Sequence, residues 1–239
     1  MRIHSFESLA ARDGDGLRYA VFLAGCPLRC VYCHNPDTWT QERAQEYTIE
    51  QIAKKILRCK PYMLAGHGGV TFSGGEPLLQ ADELYRLICL LKQEGIGSCI
   101  DTSGNVPLTQ KVKDVLEASE SVLLDLKFPT EEAYYQHTKG KLFLVTEMLS
   151  YLKQNNIPTR IRTVIVPQLN DSTEALLAYA RVLMPFKDGI SQWELLPFHT
   201  LGFEKYELLG IENPLLNTPA LPDEKRLELQ VFANSLLQK

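Results

Sequence analysis

The sequence predicts an α/β protein built on a parallel sheet, and three observations carry that expectation. Apolar segments of strand character alternate with segments of helical periodicity six times along 239 residues, the pattern that parallel βα units produce. The length falls just short of the roughly 250 residues of a full eight-fold barrel. The residues with chemical character lie at or just after the ends of the predicted strands, where barrels and open parallel sheets alike bind ligands. Six repeats fit an incomplete barrel or an open doubly wound sheet, in one domain over residues 1–239.

The elements follow in order. Tyr19 to Leu23 reads as the first strand, with a cysteine-rich loop directly after it. Thr48 opens a helix, because Ile49, Ile52, Ala53, Ile56 and Leu57 fall on one face at helical spacing. Val70 to Phe72 is a short strand ending in Ser73-Gly74-Gly75, and a helix runs from about Leu78 to Gln93. Ser98 to Thr102 is a strand, Lys111 to Ala118 a helix, and Val122 to Lys127 an apolar strand with two charges at its end. Helices are expected at 131–138 and 142–155, and a strand from Thr159 to Val166. Asp171-Ser172-Thr173-Glu174 reads as a capping box opening a helix to Leu183. Ile190 to Leu196 is the last strand, the Pro-rich stretch 213–222 a surface loop, and 223–237 the closing helix.

Composition narrows the function classes. Hydrophobic residues make up 45% and charged residues 23%, ordinary values for a globular protein. The N-terminal residues lack the apolar core of a secretory signal and no apolar run approaches bilayer length, so a cytoplasmic protein without a membrane partner is expected. A formal charge of −4 with no basic block argues against a large nucleic-acid footprint, which needs many phosphate-neutralising side chains. Six cysteines without a secretory context read as metal ligands or buried thiols.

Three of them carry the chemistry. Cys26, Cys30 and Cys33 stand in one short loop, Cys26-Pro27-Leu28-Arg29-Cys30-Val31-Tyr32-Cys33-His34-Asn35, at spacings that aim three sulfurs at one centre. A structural zinc site closes with four ligands; His34 follows Cys33 too directly to be the fourth, and no second CxxC pair exists. Iron–sulfur cubanes take thiolates, normally four, so three would leave one iron open to another ligand. Cys59, Cys89 and Cys99 are isolated in predicted elements and read as small buried hydrophobes.

Other strand ends supply candidates. Gly74-Gly75-Glu76, with Pro77 after it, lets the backbone approach a ligand closely, although the same residues also make a plain strand-to-helix turn. Strand alternation puts Leu123, Asp125 and Lys127 on one face and Leu124 and Leu126 on the other; buried charges there must bind something or pair with each other. Asp101 and Thr102 end another strand, and Asp101 with Asp125 would make an oxygen-rich pair suited to a hard cation. Arg160 and Arg162 share a strand face suited to a carboxylate. His199 lies just past the last strand.

Cys26-x-x-x-Cys30-x-x-Cys33, with an aromatic before the last cysteine, resembles the motif of the radical S-adenosylmethionine (SAM) superfamily. Arg2-Ile3-His4-Ser5-Phe6-Glu7-Ser8, the segment Tyr32-Cys33-His34-Asn35-Pro36-Asp37-Thr38-Trp39, Asp125-Leu126-Lys127 and Leu195-Leu196-Pro197-Phe198-His199 further resemble the pyruvate formate-lyase activating enzymes, from residue 2 to about residue 206. The resemblance implies a partial (β/α)6 TIM-like barrel, a [4Fe-4S] cluster on Cys26, Cys30 and Cys33, and SAM on its open iron. It implies reductive cleavage of SAM to methionine and a 5′-deoxyadenosyl radical, which removes a hydrogen from a backbone glycine of pyruvate formate-lyase under anaerobic conditions. It also implies flavodoxin or ferredoxin as electron donor, and a monomer.

Position by position, the resemblance implies SAM contacts at Tyr32, His34, Gly75, Asp125, Leu126, Lys127 and His199, with Gly74-Gly75-Glu76 at the SAM amino group. It implies a monovalent-cation site at Asp101, Thr102, Asp125 and the Leu123 backbone. One feature qualifies the match: Asp15 in Asp13-Gly14-Asp15-Gly16 stands where the family has proline. A missing feature also informs, since no cysteine-rich ferredoxin-like insert lies between Cys33 and Ser73. The missing insert favours pyruvate formate-lyase over other glycyl-radical partners. A radical SAM enzyme acting on a small molecule and a zinc-binding interaction module are the competing readings.

Overall fold

A computed structural model describes residues 1–11 and 13–237. It divides into two compact units, one of Met1–Pro27, Thr38–Thr102 and Val106–Leu123, the other of Leu28–Asp37, Ser103–Asn105 and Leu124–Lys239.

The first unit begins with β1 (Arg2–Ala10), β2 (Arg18–Leu23) and β3 (Gln45–Glu46). It continues through α1 (Ile49–Leu57), α2 (Lys60–Ala65), β4 (Val70–Gly74), α3 (Ala81–Gln93), β5 (Ser98–Thr102) and α4 (Gln110–Ala118) to the start of β6 (Ser121–Asp125). Its strands are ordered β3-β1-β2-β4-β5-β6. β2 and β4 pair in parallel, Tyr19 opposite Val70 through Leu23 opposite Gly74, and β4 pairs in parallel with β5. Strands buried on both faces read as continuous apolar runs, and Val21, Leu23, Val70, Phe72 and Ile100 are fully buried. The helices cover them with Ile52 and Ile56 of α1 and Leu84, Leu87 and Leu91 of α3.

β1 and β3 lie outside the six strands expected. β1 pairs antiparallel with both β2 and β3 and buries only Ile3 and Ala10, so it lacks the apolar alternation by which a strand is recognised. α1 starts where expected, on a reciprocal cap: Thr48 Oγ1 accepts from Gln51 N at 3.2 Å and Gln51 Oε1 from Thr48 N at 2.9 Å.

The second unit takes up β6 at Leu124 and continues with α5 (Glu131–Thr138), α6 (Leu142–Gln154), β7 (Thr159–Ile165), α7 (Thr173–Leu183), β8 (Ile190–Pro197), α8 (Phe203–Leu209) and α9 (Asp223–Leu237). β7 and β8 are parallel, with Ile161 opposite Trp193 and Arg162 opposite Glu194. Burial alternates strictly along β7, Thr159, Ile161, Thr163 and Ile165 facing inward. The inward Thr163 hydroxyl satisfies the buried Trp193 indole N–H at 3.0 Å.

The expected capping box at 171–174 is corrected. Ser172 is the cap and accepts from Ala175 N at 3.2 Å, which places Glu174 one position too early to reach back. Asp171 instead accepts from Gln168 N and pairs with Lys225 of α9. Ser172→Ala is therefore expected to cost about 1 kcal/mol in urea unfolding, while Glu174→Gln changes little. Equal losses in the two variants would restore the capping box.

Candidate active site

In the first unit, the loop after β2 is pinned through its main chain. Gly25 N donates to Thr38 O at 2.8 Å and Cys26 N to Trp39 O at 3.2 Å, while Gly75 N and Glu76 N donate to Leu23 O and Gly25 O, each at 2.8 Å. The turn ending β4 thus lies directly against the segment that presents Cys26. Gly74 has φ +109°, and a Cβ on Gly75 would fall 2.2 Å from Gly25 O, so side chains are excluded on steric grounds at both positions.

Glu76 is fully buried. Its Oε1 accepts from Leu78 N at 3.1 Å and from the Thr102 hydroxyl at 2.7 Å. Asp101 accepts from the Ser73 hydroxyl at 2.7 Å. The resemblance assigned Thr102 and Asp101 to a cation; the bond of Asp101 also ties β5 to β4, and that of Thr102 ties β5 to the turn after β4.

In the second unit, Arg29 N and Val31 N donate to Thr138 O at 2.7 Å and His137 O at 2.9 Å. These are carbonyls at the C-terminal end of α5, which the helix itself leaves unsatisfied. Cys30 is held between those two bonds, and Cys33 N closes a turn onto Cys30 O at 3.1 Å. The Tyr206 hydroxyl donates to Cys33 O at 2.9 Å, and Lys205 binds Asn35 and Asp37 at 2.8 and 3.1 Å. Gly202 packs so close to His34 that a Cβ would meet its carbonyl at 2.7 Å.

The rings of His34 and His199 stack at 3.8 Å and 10°. His34 Nε2 lies 3.1 Å from His199 O, so that nitrogen carries the proton. Burial first, then the neighbouring His199, lower the His34 pKa to about 4, which leaves the ring neutral at pH 7.

Asp125 ends β6 with a side chain 21% exposed, and meets Lys127 Nζ at 2.9 Å and Arg162 Nε at 3.2 Å. Arg162 Nη2 lies 3.2 Å from the same oxygen. The ion pair weighed for Asp125 and Lys127 therefore exists, with Arg162 as a second cation; both carboxylate oxygens of Asp125 already face a cation of the chain. Leu126 is fully buried and its N–H donates to Arg162 O at 2.9 Å. Lys127 Nζ lies 5.9 Å over the Tyr32 ring, and Tyr32 packs on Phe128 at 6.1 Å.

The Tyr32 hydroxyl is buried and makes no hydrogen bond among the described residues, and burial above all raises its pKa far above the usual value. A buried hydroxyl without a partner is costly, and this one stands between two thiols in the chain. That arrangement fits a site which a bound group completes. None of the described cysteines is in a disulfide. Among the described residues no three His, Cys, Asp or Glu side chains converge around a single ion; the thiolates of a cubane each take a different iron and need not converge in that way.

Cys26, Gly74, Gly75, Glu76, Asp101 and Thr102 thus belong to the first unit, and Cys30, Tyr32, Cys33, His34, Asp125, Leu126, Lys127, Arg162 and His199 to the second. Lys205 and Tyr206 were not foreseen as supports of the cysteine loop; their only signal is their place just after the quoted His199 segment. Cys59 and Cys89, expected to be buried, are only partly so, whereas Cys99 is buried.

Residues 21–180 match the family model described as the radical SAM superfamily. The chain is 42% identical over 238 residues to the pyruvate formate-lyase-activating enzyme of Clostridium pasteurianum, covering 99% of this chain and 98% of that one. It is 39% identical to the enzyme of the same name from Staphylococcus epidermidis, covering 97% and 94%. Among solved structures, a radical SAM methyltransferase from Sphaerobacter thermophilus superposes with a TM-score of 0.62 at 16% identity, over 94% of this chain and 68% of that one, a likeness of fold.

Proposed function

The chain belongs to the radical SAM superfamily and, within it, to the pyruvate formate-lyase-activating enzymes, and from that premise we propose that it turns a backbone glycine of pyruvate formate-lyase into a glycyl radical. Cys26, Cys30 and Cys33 hold a [4Fe-4S] cluster in this reading. The observation that supports it best is the segment from Cys30 to Cys33, fixed through its main chain to α5 and carrying a buried Tyr32 hydroxyl without a hydrogen-bond partner among the described residues.

When bound, the cluster and SAM together supply a one-electron cleavage that yields methionine and the deoxyadenosyl radical that takes the glycine hydrogen. The chain's own residues hold and orient. The Arg29 and Val31 amides fix the direction of Cys30. Gly74-Gly75-Glu76 offers bare backbone at the end of β4 to the amino end of SAM, and the Lys127 and Arg162 cations suit its carboxylate. Asp125 pairs with both of those cations in a largely buried site. The stacked rings of His199 and the neutral His34 offer a flat surface to the adenosine. By the resemblance, Asp101, Thr102 and Asp125 would be the residues of a monovalent-cation site. The electron donor is a flavodoxin or ferredoxin. The enzyme works as a monomer in the cytoplasm, as one domain over residues 1–239; among the described residues no helix is long and apolar enough to cross a membrane.

The test is anaerobic reconstitution with iron and sulfide, followed by electron paramagnetic resonance with SAM, dithionite and pyruvate formate-lyase. A glycyl doublet is expected on the partner, and Cys30→Ala should abolish it. A reduced cluster that responds to SAM but yields no doublet would reject the protein substrate; stoichiometric zinc without iron would reject the cluster.

A further inference from the structure

From the exposed surface beside Cys30 we infer that the C-terminal end of α5, with Arg29, forms the docking face for a small acidic one-electron carrier protein. The inference rests on the cluster reading above and adds the place where the electron enters.

Adjacency comes first. The Arg29 N–H and Val31 N–H bonds to Thr138 O and His137 O seat the cysteine loop on the last turn of α5. The surface formed by that turn is therefore one residue away from Cys30 along the chain. What lies beneath it is packed protein: His137 stacks on Phe128 at 4.7 Å, and Phe128 lies tilted against Tyr32 at 6.1 Å. This contiguous set of rings runs from the half-buried His137 to the residue between Cys30 and Cys33.

Charge and shape come second. Arg29, Lys139 and Lys141 are all exposed, on a chain whose net charge is −4, so the C-terminal end of α5 is basic, while the exposed Glu131 and Glu132 stand at its opposite, N-terminal turn. Lys139 projects from a left-handed C-cap, φ 62°, and its Nζ stands 5.3 Å over the Tyr135 ring. Asn105 grips both polar groups of the Lys141 backbone, at 2.7 and 3.2 Å, which fixes where that side chain begins. Tyr135 is 62% exposed and Phe143 59%. Large exposed aromatics beside cations are typical of an interface rather than of an idle surface. Glu131 is engaged by Leu142 N and Phe143 N at the start of α6, so it caps that helix.

The reaction needs one electron from outside for each cleavage. The carrier gives up that electron and leaves oxidised by one unit, while the cluster is reduced by one; no bond forms between the two proteins. Such encounters use small interfaces and fast exchange, and complementary charge governs their rate more than their affinity. A basic helix end, bonded through main chain to the residues on either side of Cys30, meets both requirements.

The experiment compares the reconstituted holoenzyme with a Lys139→Gln/Lys141→Gln variant in anaerobic stopped-flow, using reduced flavodoxin as the carrier and dithionite as the small reductant. At low ionic strength the variant should be reduced by flavodoxin roughly tenfold more slowly, with a flattened salt dependence. Its reduction by dithionite and its cluster spectrum with SAM should match the parent enzyme. Unchanged reduction by flavodoxin would overturn the inference. So would an equal loss with dithionite, which would mean a damaged cluster, or a weakened affinity for pyruvate formate-lyase with flavodoxin reduction intact, which would give the face to the substrate. A parent chain that binds no iron–sulfur cluster would show itself before any variant is compared, and would remove both readings.

Discussion

Asp125→Asn should lower the unfolding free energy by about 3–5 kcal/mol, the cost of leaving the buried Lys127 charge without its counter-ion. Lys127 and Arg162 have side chains only 12% and 11% exposed and share the single carboxylate of Asp125. An amide of the same shape would leave both cations facing a neutral group. Burial alone would push the Asp125 carboxyl up, but Lys127 and Arg162 outweigh it and hold the pKa below the usual value. Burial likewise works against the charged form of Lys127, and Asp125 reverses that, raising its pKa well above the usual value.

The sign of the pH dependence follows. A carboxyl whose folded pKa is depressed contributes stability that is present above its unfolded pKa, near 4, and is lost as pH falls through the folded value. A raised lysine contributes stability that is present below its unfolded pKa, near 10, and is lost only as pH rises through the folded value. The gap between parent and variant should therefore be flat from about pH 5 to 9 and close in acid. Urea unfolding at pH 7 and below pH 4 measures it. A variant within about 1 kcal/mol of the parent at neutral pH would mean that water already screens the cations, as at an exposed pair. Asp125→Asn/Lys127→Met should recover part of the loss, because one orphaned charge is then removed.

This triad also shows how far the sequence could be read. Alternation placed Asp125 beyond Leu123 and Leu124 at a strand end, and the motif around it was evident. That Arg162 of β7 would be the second cation was not, because the partner lies 37 residues away and nothing local encodes the register of β6 against β7. β2, β4, β5 and β6 were legible because burial on both faces writes a continuous pattern into each, and β7 because its burial alternates. β1 was not, since most of its side chains are polar and only Ile3 and Ala10 go inside. The capping error at Ser172 is of another kind. Asp171 and Ser172 are both good caps, and the bond from Asp171 to Lys225 of α9, a tertiary contact, leaves Ser172 to begin the helix.

In the candidate site, the cysteines and the glycines were legible from spacing, and what holds them was not. The Arg29 and Val31 bonds to α5 run through main chain and leave no trace in residue identity. Tyr206 and Lys205 support the loop from more than 160 residues away. Short supports of that kind become visible only when the chain is folded.

Three glycine substitutions separate steric from conformational cost, and the largest losses should come from the turn after β4. A Cβ on Gly75 would lie 2.2 Å from Gly25 O, 2.7 Å from Gly25 C and 3.0 Å from Thr38 O. All three atoms are backbone, so no rotamer change relieves the clash; the turn must move away from the loop that carries Cys26. Gly74 adds a positive φ of +109° to contacts of 2.4 Å with Leu23 N and O. Gly95, with φ +70° and nothing within 4 Å of a Cβ, isolates the conformational term. Gly95→Ala should cost only about 1–2 kcal/mol, Gly75→Ala about 3 kcal/mol or more, and Gly74→Ala the most. The same displacement stretches the 2.8 Å bond from Glu76 N to Gly25 O, next to Cys26. Gly75→Ala should therefore also retain less iron per chain after anaerobic reconstitution, and Gly95→Ala as much as the parent. Should Gly75→Ala unfold like Gly95→Ala and keep its iron, the turn would be shown to yield freely, and its closeness to the cysteine loop would have no part in holding the cluster.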